Sequence, residues 1–194
     1  MFKILDKVCT PTKGTKYSAC VDLFAAKDVV VGAGETVLVP LGVKIDLEKL
    51  KENYIKNNKL RDEKAGLPPL SKTFENKYFN EEFLKSHQLN LHIRSSMSAK
   101  HGLIIANGTG IIDLDYPGEI MICLHNPIVG ATSKQVSPKT EKITTFNCCS
   151  GDKNRYAIKK GQPIAQISLV EHKTYLLGVG SEEKRIGGFG STNV

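Results

Sequence analysis

The sequence contains no apolar run approaching the roughly 20 residues that a membrane-spanning helix requires. Its start, Met-Phe-Lys-Ile-Leu-Asp-Lys, places charges where a signal peptide needs an apolar segment. Both absences lead to the expectation of a cytoplasmic protein with no membrane partner, or a nuclear one if its source has a nucleus. Cysteine is sparse and odd in number. Cys9, Cys20, Cys123, Cys148 and Cys149 lack metal-ligand spacing, and a bond between the neighbours Cys148 and Cys149 would be strained. Free, structural thiols in a reducing compartment are expected. No internal repeat is present. Nor is there a basic run interleaved with aromatics, although the net charge is +7. The lysines are scattered, which argues against stable nucleic-acid binding. A basic site for a small polyphosphate, or a merely solvated surface, remains open.

What is present fits one domain with a real core: 194 residues, 40% hydrophobic and 24% charged. Short apolar segments punctuated by Gly and Pro read as strands. Val29-Val30-Val31, then Gly32 to Glu35, then Thr36 to Pro40 reads as strand, turn, strand. Leu89 to Ile93 alternates apolar with polar residues, as does Ile164 to Val170, and Glu119 to Leu124 is apolar enough for a central strand. The predicted fold is all-β, a distorted jelly-roll-like barrel or sandwich.

Two stretches break the rhythm. Residues 46–88 are rich in Lys, Glu and Asn. Leu47, Leu50 and Tyr54 recur at helical spacing there, followed by a weaker pattern over Tyr78, Phe79, Phe83 and Leu84. With Gly66-Leu67-Pro68-Pro69 as a breaker between them, this predicts a mostly helical insertion. Residues 127–156 are polar and hold two prolines, which predicts a long loop or hairpin. The domain is expected to span 1–180, leaving 181–194 as a charged, Gly-rich arm that cannot build core.

Three segments carry residue types suited to chemistry. Arg94-Ser95-Ser96-Met97-Ser98 directly follows a strand, and a guanidinium with small hydroxyls and turn N–H groups can cradle phosphate. It also reads as an Arg capping a polar turn. Asn107-Gly108-Thr109-Gly110-Ile111-Ile112-Asp113-Leu114-Asp115-Tyr116 allows a tight hairpin whose backbone can bond a flat ligand edge-on. Asp113 follows two β-branched residues, so its carboxylate is expected at a dry pocket mouth, able to deprotonate a water. Tyr116 offers a ring for stacking. The same residues also suit an ordinary Asp-rich turn between strands. The tail Lys184-Arg185-Ile186-Gly187-Gly188-Phe189-Gly190-Ser191-Thr192 resembles a mobile phosphate loop with a stacking ring, and equally a linker.

In order, these segments resemble the five motifs of the trimeric dUTPase family. Ser18-Ala19-Cys20-Val21-Asp22-Leu23 is similar to the first, Arg94-Ser95-Ser96 to the second, and Asn107 to Gly118 to the third. Gly161-Gln162-Pro163-Ile164-Ala165-Gln166 is similar to the fourth, and Gly187 to Thr192 to the fifth. The resemblance implies hydrolysis of dUTP to dUMP and pyrophosphate, keeping uracil out of DNA. Asp113 would activate the water that attacks the α-phosphorus. Asn107 and the hairpin backbone, with Gly110 and Ile112, would read uracil, and Tyr116 would lie under the deoxyribose and disfavour a 2′-hydroxyl. Arg94, Ser95 and Ser96 would hold phosphates, supported by Gln166, and Asp22 would touch Mg²⁺ through water. Phe189 would close over uracil while Gly190, Ser191 and Thr192 wrap the γ-phosphate. A homotrimer with shared active sites is implied as well.

The chain departs from the family pattern at several points. Cys20 stands where the family has Gly, Ile93 replaces the Pro before Arg94, and Pro117 replaces a basic or polar residue. Lys184 occupies the place of the family's Arg, with Arg185 one position off; one of the two is expected to grip the γ-phosphate. A lysine there supplies charge but no planar fork. Two alternatives share these residues: a dCTP deaminase of the same fold, which needs a glutamate-centred site, and a catalytically silent binding or regulatory relative.

Overall fold

The computed structural model describes residues 1–66, 79–128 and 154–179, together with the backbone of 133–136 and 143–146. Two antiparallel four-stranded sheets enclose the core. The first has the order β1-β4-β8-β6, formed by Phe2–Ile4, Thr36–Ile45, Glu119–His125 and Ile104–Ile105. The second has the order β2-β12-β5-β7, formed by Val21–Phe24, Pro163–Glu171, His87–Ile93 and Gly110–Asp113. A short pair, β3 (Val29–Val31) with β11 (Tyr156–Ile158), adds to these. The fold is all-β and jelly-roll-like.

Alternation decides which side chains fill the space between the sheets. In β8, Ile120, Ile122 and Leu124 are fully buried, while Glu119, Met121, Cys123 and His125 between them are only half-buried. In β5, Leu89 and Leu91 point inward, and Gln88, Asn90 and His92 occupy the other face. Completely burying a Leu or Ile stabilises by about 1.5–3 kcal/mol, so these rows hold the two sheets together.

β4 continues well past Pro40, where its sequence pattern stops. Between Pro40 and Lys44 the register with β8 shifts, and Gly42 takes φ 65°. That left-handed turn of backbone suits glycine. The Gly42 N–H donates to Glu119 Oε1 at 2.8 Å, so the bulge is stapled to β8.

The insertion is helical where it is described. α1 (Leu47–Lys64) starts at Asp46, whose carboxylate accepts from the Lys49 N–H at 3.0 Å. It ends before Gly66 at φ 70°. α2 (Glu81–Ser86) is capped in the same way by Asn80, which accepts from the Phe83 N–H at 3.0 Å. Tyr54 from α1 meets Phe83 edge-on at 4.8 Å, Phe79 lies 4.7 Å from Phe83, and His87 stacks on Phe83 at 3.9 Å. These rings, with Leu50, fasten the insertion to the sheets. The breaker beyond Gly66 and Tyr78 lie outside the described residues.

The polar stretch 127–156 holds a hairpin, β9 (Ser133–Val136) paired with β10 (Ile143–Phe146). One expectation is corrected: Ser95–His101 is a short helix, α3, and not an open turn. Met97 is buried at its centre, which anchors the turn of helix, and Gly102 at φ 67° ends it. Cys9, Cys20 and Cys123 are free thiols. Burial pushes the Cys9 thiol up, and it donates to the Ala25 carbonyl at 3.6 Å. Cys148, Cys149 and the arm 181–194 lie outside the described residues.

Candidate active site

One of the three chemical segments, Arg94 to Ser96, meets Asp22 and Gln166 on the outward face of the second sheet. Gln166 on β12 is in register with Asp22 on β2 and with His92 on β5. The three side chains therefore form one row across three strands, each about 5 Å from the next. The Asp22 backbone is held from both sides, since its N–H also donates to the Thr12 carbonyl at 2.7 Å. Arg94, directly after β5, reaches back across the row. Its Nε lies 3.1 Å from Asp22 Oδ1, and its guanidinium also approaches the Pro163 carbonyl at 3.5 Å. Gln166 Nε2 donates to the Ile93 carbonyl at 3.5 Å. Ser95 is exposed and Ser96 half-buried at the start of α3, beside this group. Together they make a cradle of one cation, one anion, an amide and two hydroxyls.

His92 was not expected from the motifs. The signal was nevertheless in the sequence: in Leu91-His92-Ile93-Arg94, alternation sets His92 on the same face as Arg94.

The hairpin segment forms a separate pocket of about 250 Å³. Asn107, Gly110, Ile111, Ile112 and Tyr116 line it, as expected of a hairpin that receives a flat ligand. Leu91, Ile105, Ile120, Met121 and Cys123 complete the wall, and no motif pointed to these. The volume suits one small heterocycle better than a drug-sized ligand. Gly108 takes φ 73° in the turn, and a Cβ on Gly110 would approach Leu91 Cβ to 3.1 Å, so the hairpin sits tightly against β5. The Tyr116 hydroxyl donates to the Glu119 carbonyl at 3.3 Å, which fixes one edge of the ring.

Asp113 stands at the far end of β7, exposed, in register with Gln88. Its neighbours explain the exposure: β7 alternates, so Ile111 and Asp113 face outward while Gly110 is buried. The dry surroundings expected for this carboxylate are not found among the described residues. Arg94 lies six residues beyond Gln88 along β5, roughly 20 Å away at strand rise. A single chain therefore brings Asp22, Arg94 and Gln166 together and leaves Asp113 apart from them. Lys184, Arg185, Phe189, Gly190, Ser191 and Thr192 lie outside the described residues.

No family model matches the chain. A deoxyuridine 5′-triphosphate nucleotidohydrolase from Rickettsia bellii is 30% identical over 190 residues, covering 95% of this chain and 87% of the relative. The chain belongs to the dUTPase family. Solved dUTPases share its fold at lower identity. The Streptococcus mutans enzyme superposes with a TM-score of 0.52 at 20% identity, over 89% of this chain and 95% of that one. The dUTPase from phage phi11 of S. aureus gives 0.55 at 20% identity, over 98% and 97%. Against the dUTPase pattern, Ile93 in place of Pro keeps an N–H on β5, and its carbonyl is the one that Gln166 bonds.

Proposed function

We infer that this chain hydrolyses dUTP to dUMP and pyrophosphate, using Asp113 to activate the water that attacks the α-phosphorus. The observation that carries the reading is the pocket between Asn107 and Tyr116. It is a heterocycle-sized cleft with Asn107 and Tyr116 set in a mostly apolar lining, and its strand runs on directly into the assigned carboxylate. Uracil would enter against the hairpin backbone at Gly110 and Ile112, with Asn107 at its polar edge. Tyr116 would lie under the deoxyribose. The three phosphates would run to Arg94, Ser95 and Ser96, with Gln166 behind them.

Asp22 offers hard carboxylate oxygen on the cradle face, and Gln166 adds an amide oxygen beside it. This donor set suits a hydrated Mg²⁺ carried in by the phosphates and touched through water. Bound there, the ion would neutralise charge on the triphosphate. The chain's own residues hold the nucleotide in line and take the proton from the water.

The separation of Asp113 from the cradle favours a site shared between copies, and the reading includes a homotrimer. One subunit's pocket and Asp113 would face a second subunit's Arg94 and Asp22. The arm 181–194 would close over the nucleotide, with Phe189 on the base and Lys184 or Arg185, Gly190, Ser191 and Thr192 around the γ-phosphate. Among the described residues no helix is long and apolar enough to cross a membrane.

The test is pyrophosphate release from dUTP with Mg²⁺ by the wild type and by Asp113→Asn. Loss of a positioned base should cost on the order of 10³-fold in kcat. Equal rates would remove Asp113 from its role. Ammonia released from dCTP, with dUTP left intact, would replace the reading with a deaminase.

A further inference from the structure

We propose that Gly118 is a positioning residue for Tyr116 and thereby sets the preference for deoxyribose over ribose; this deepens, and rests on, the placement of Tyr116 under the sugar. Gly118 does not take the left-handed backbone that explains Gly42 or Gly108. Left-handed backbone strain is therefore not what excludes a side chain there. What demands a glycine is the neighbouring ring. A Cβ at position 118 would fall on the Tyr116 hydroxyl, 2.6 Å from Cζ and 3.1 Å from Cε2.

The ring has few ways to yield. Pro117 follows Tyr116 directly, which confines the Tyr116 backbone to extended conformations. The hydroxyl is tied to the Glu119 carbonyl at 3.3 Å, and the Glu119 carboxylate in turn holds Gly42 of the β4 bulge at 2.8 Å. Restoring ordinary carbon contacts from 2.6 Å requires a shift of about 1 Å. With the backbone fixed, that shift must come from the side-chain torsions. The ring would leave its seat in the pocket wall, and with it the surface that crowds a 2′-hydroxyl. Tyr116, Pro117 and Gly118 thus act as a clamp: the proline fixes where the ring starts and the glycine leaves room for where it ends.

The experiment compares kcat/KM for dUTP and UTP in the wild type, Gly118→Ala, Tyr116→Leu and the Gly118→Ala/Tyr116→Leu double variant. It is accompanied by a crystal structure of Gly118→Ala. Displacements of about 1 Å cost up to 10²-fold. The dUTP-to-UTP ratio should accordingly fall about tenfold in Gly118→Ala, with the ring displaced in the crystal. Leucine lacks the hydroxyl, Cζ and Cε2 that the Cβ would meet, so Gly118→Ala should change nothing further in that background and the double variant should match the ratio of Tyr116→Leu alone. Equal losses on both nucleotides, an unchanged ratio, a double variant whose ratio differs from that of Tyr116→Leu, or an unmoved ring would overturn the proposal. A single variant that fails to fold beside a folded double variant supports the same clash; failure of both overturns it. A wild type that leaves dUTP untouched would sink the proposed function, while the ring position would still decide whether Gly118 positions Tyr116.

Discussion

The cradle draws on residues 22, 94 and 166, joined only by strand pairing, whereas nearly all of the pocket wall comes from residues 105 to 123. The first is built from charge and register, the second from a local hairpin and apolar bulk. A register slip in β12 would scatter the cradle, because each one-residue step turns every side chain to the opposite face. The pocket would survive such a slip, since its turn is set by its own glycines. Asp113 and the cradle also lie at opposite ends of β5 within one chain, which is why a second copy enters the reading. Catalysis then requires both halves, and each can be damaged without the other.

The largest effect expected from this division is a rescue. Asp113→Asn and Arg94→Ala subunits should each be nearly inactive as pure proteins. Denatured together and refolded as a mixture, they should regain a substantial fraction of activity, because some sites would combine an intact Asp113 with an intact Arg94. Steady-state pyrophosphate release from the mixture, against each variant alone, measures it. A mixture no more active than its components would place both residues in one chain's site and remove the shared arrangement.

Next in size is Leu91→Ala. Leu91 is 1% exposed, packs under Gly110, and lines the pocket from the strand that ends just before Arg94. Deleting its methyl groups should cost about 3 kcal/mol in urea unfolding. In the protein that remains folded, affinity for deoxyuridine should fall, while affinity for pyrophosphate should stay near wild type. Equal loss of both ligands would mean that pocket and cradle are not separable.

Arg94→Lys probes the other half. Lysine keeps the charge but loses the fork and the reach that brings Nε to Asp22. A charge-assisted hydrogen bond is worth about 2 kcal/mol, so nucleotide triphosphate affinity should weaken by roughly 30-fold. Deoxyuridine affinity, measured by calorimetry, should be unchanged. A loss shared by the nucleoside would show that Arg94 supports the pocket as well.

The same contrast explains what could be read without coordinates. The hairpin was legible because Asn107, the glycines and Tyr116 lie within a few residues, and local turn chemistry places them. The alternation in Leu89 to Ile93 and Ile164 to Val170 located two cradle strands, and helical spacing at Leu47, Leu50 and Tyr54 located α1. Their mutual register was not legible, so His92 beside Gln166 went unnoticed. Leu91 was missed as pocket wall for the same reason: it arrives from a strand distant in sequence. The serines after Arg94 carry weak helix signals, and α3 forms because burial of Met97 overrides them. The exposure of Asp113 could not be foreseen from two preceding isoleucines, since alternation alone does not say which face of β7 is the outer one.

The smallest effect concerns the supports behind the cradle. Asp28 accepts from the Lys160 N–H at 2.8 Å and from Lys159 Nζ at 3.2 Å, which fixes the turn that leads into β12. The backbone hydrogen bond first, and the lysine second, hold its carboxyl below its ordinary value of 3.8. A carboxyl lowered on folding stabilises fully above its unfolded value, and that stabilisation fades as pH falls through the lowered one. Wild type and Asp28→Asn should therefore separate at neutral pH and converge in strong acid. The gap should be small, because the pair is exposed and screened. Unfolding midpoints from pH 7 down to pH 2 would show it. Curves that stay parallel throughout would mean that Asp28 contributes nothing through its charge. A gap that also weakened deoxyuridine binding would tie this turn to the pocket rather than to the cradle strand.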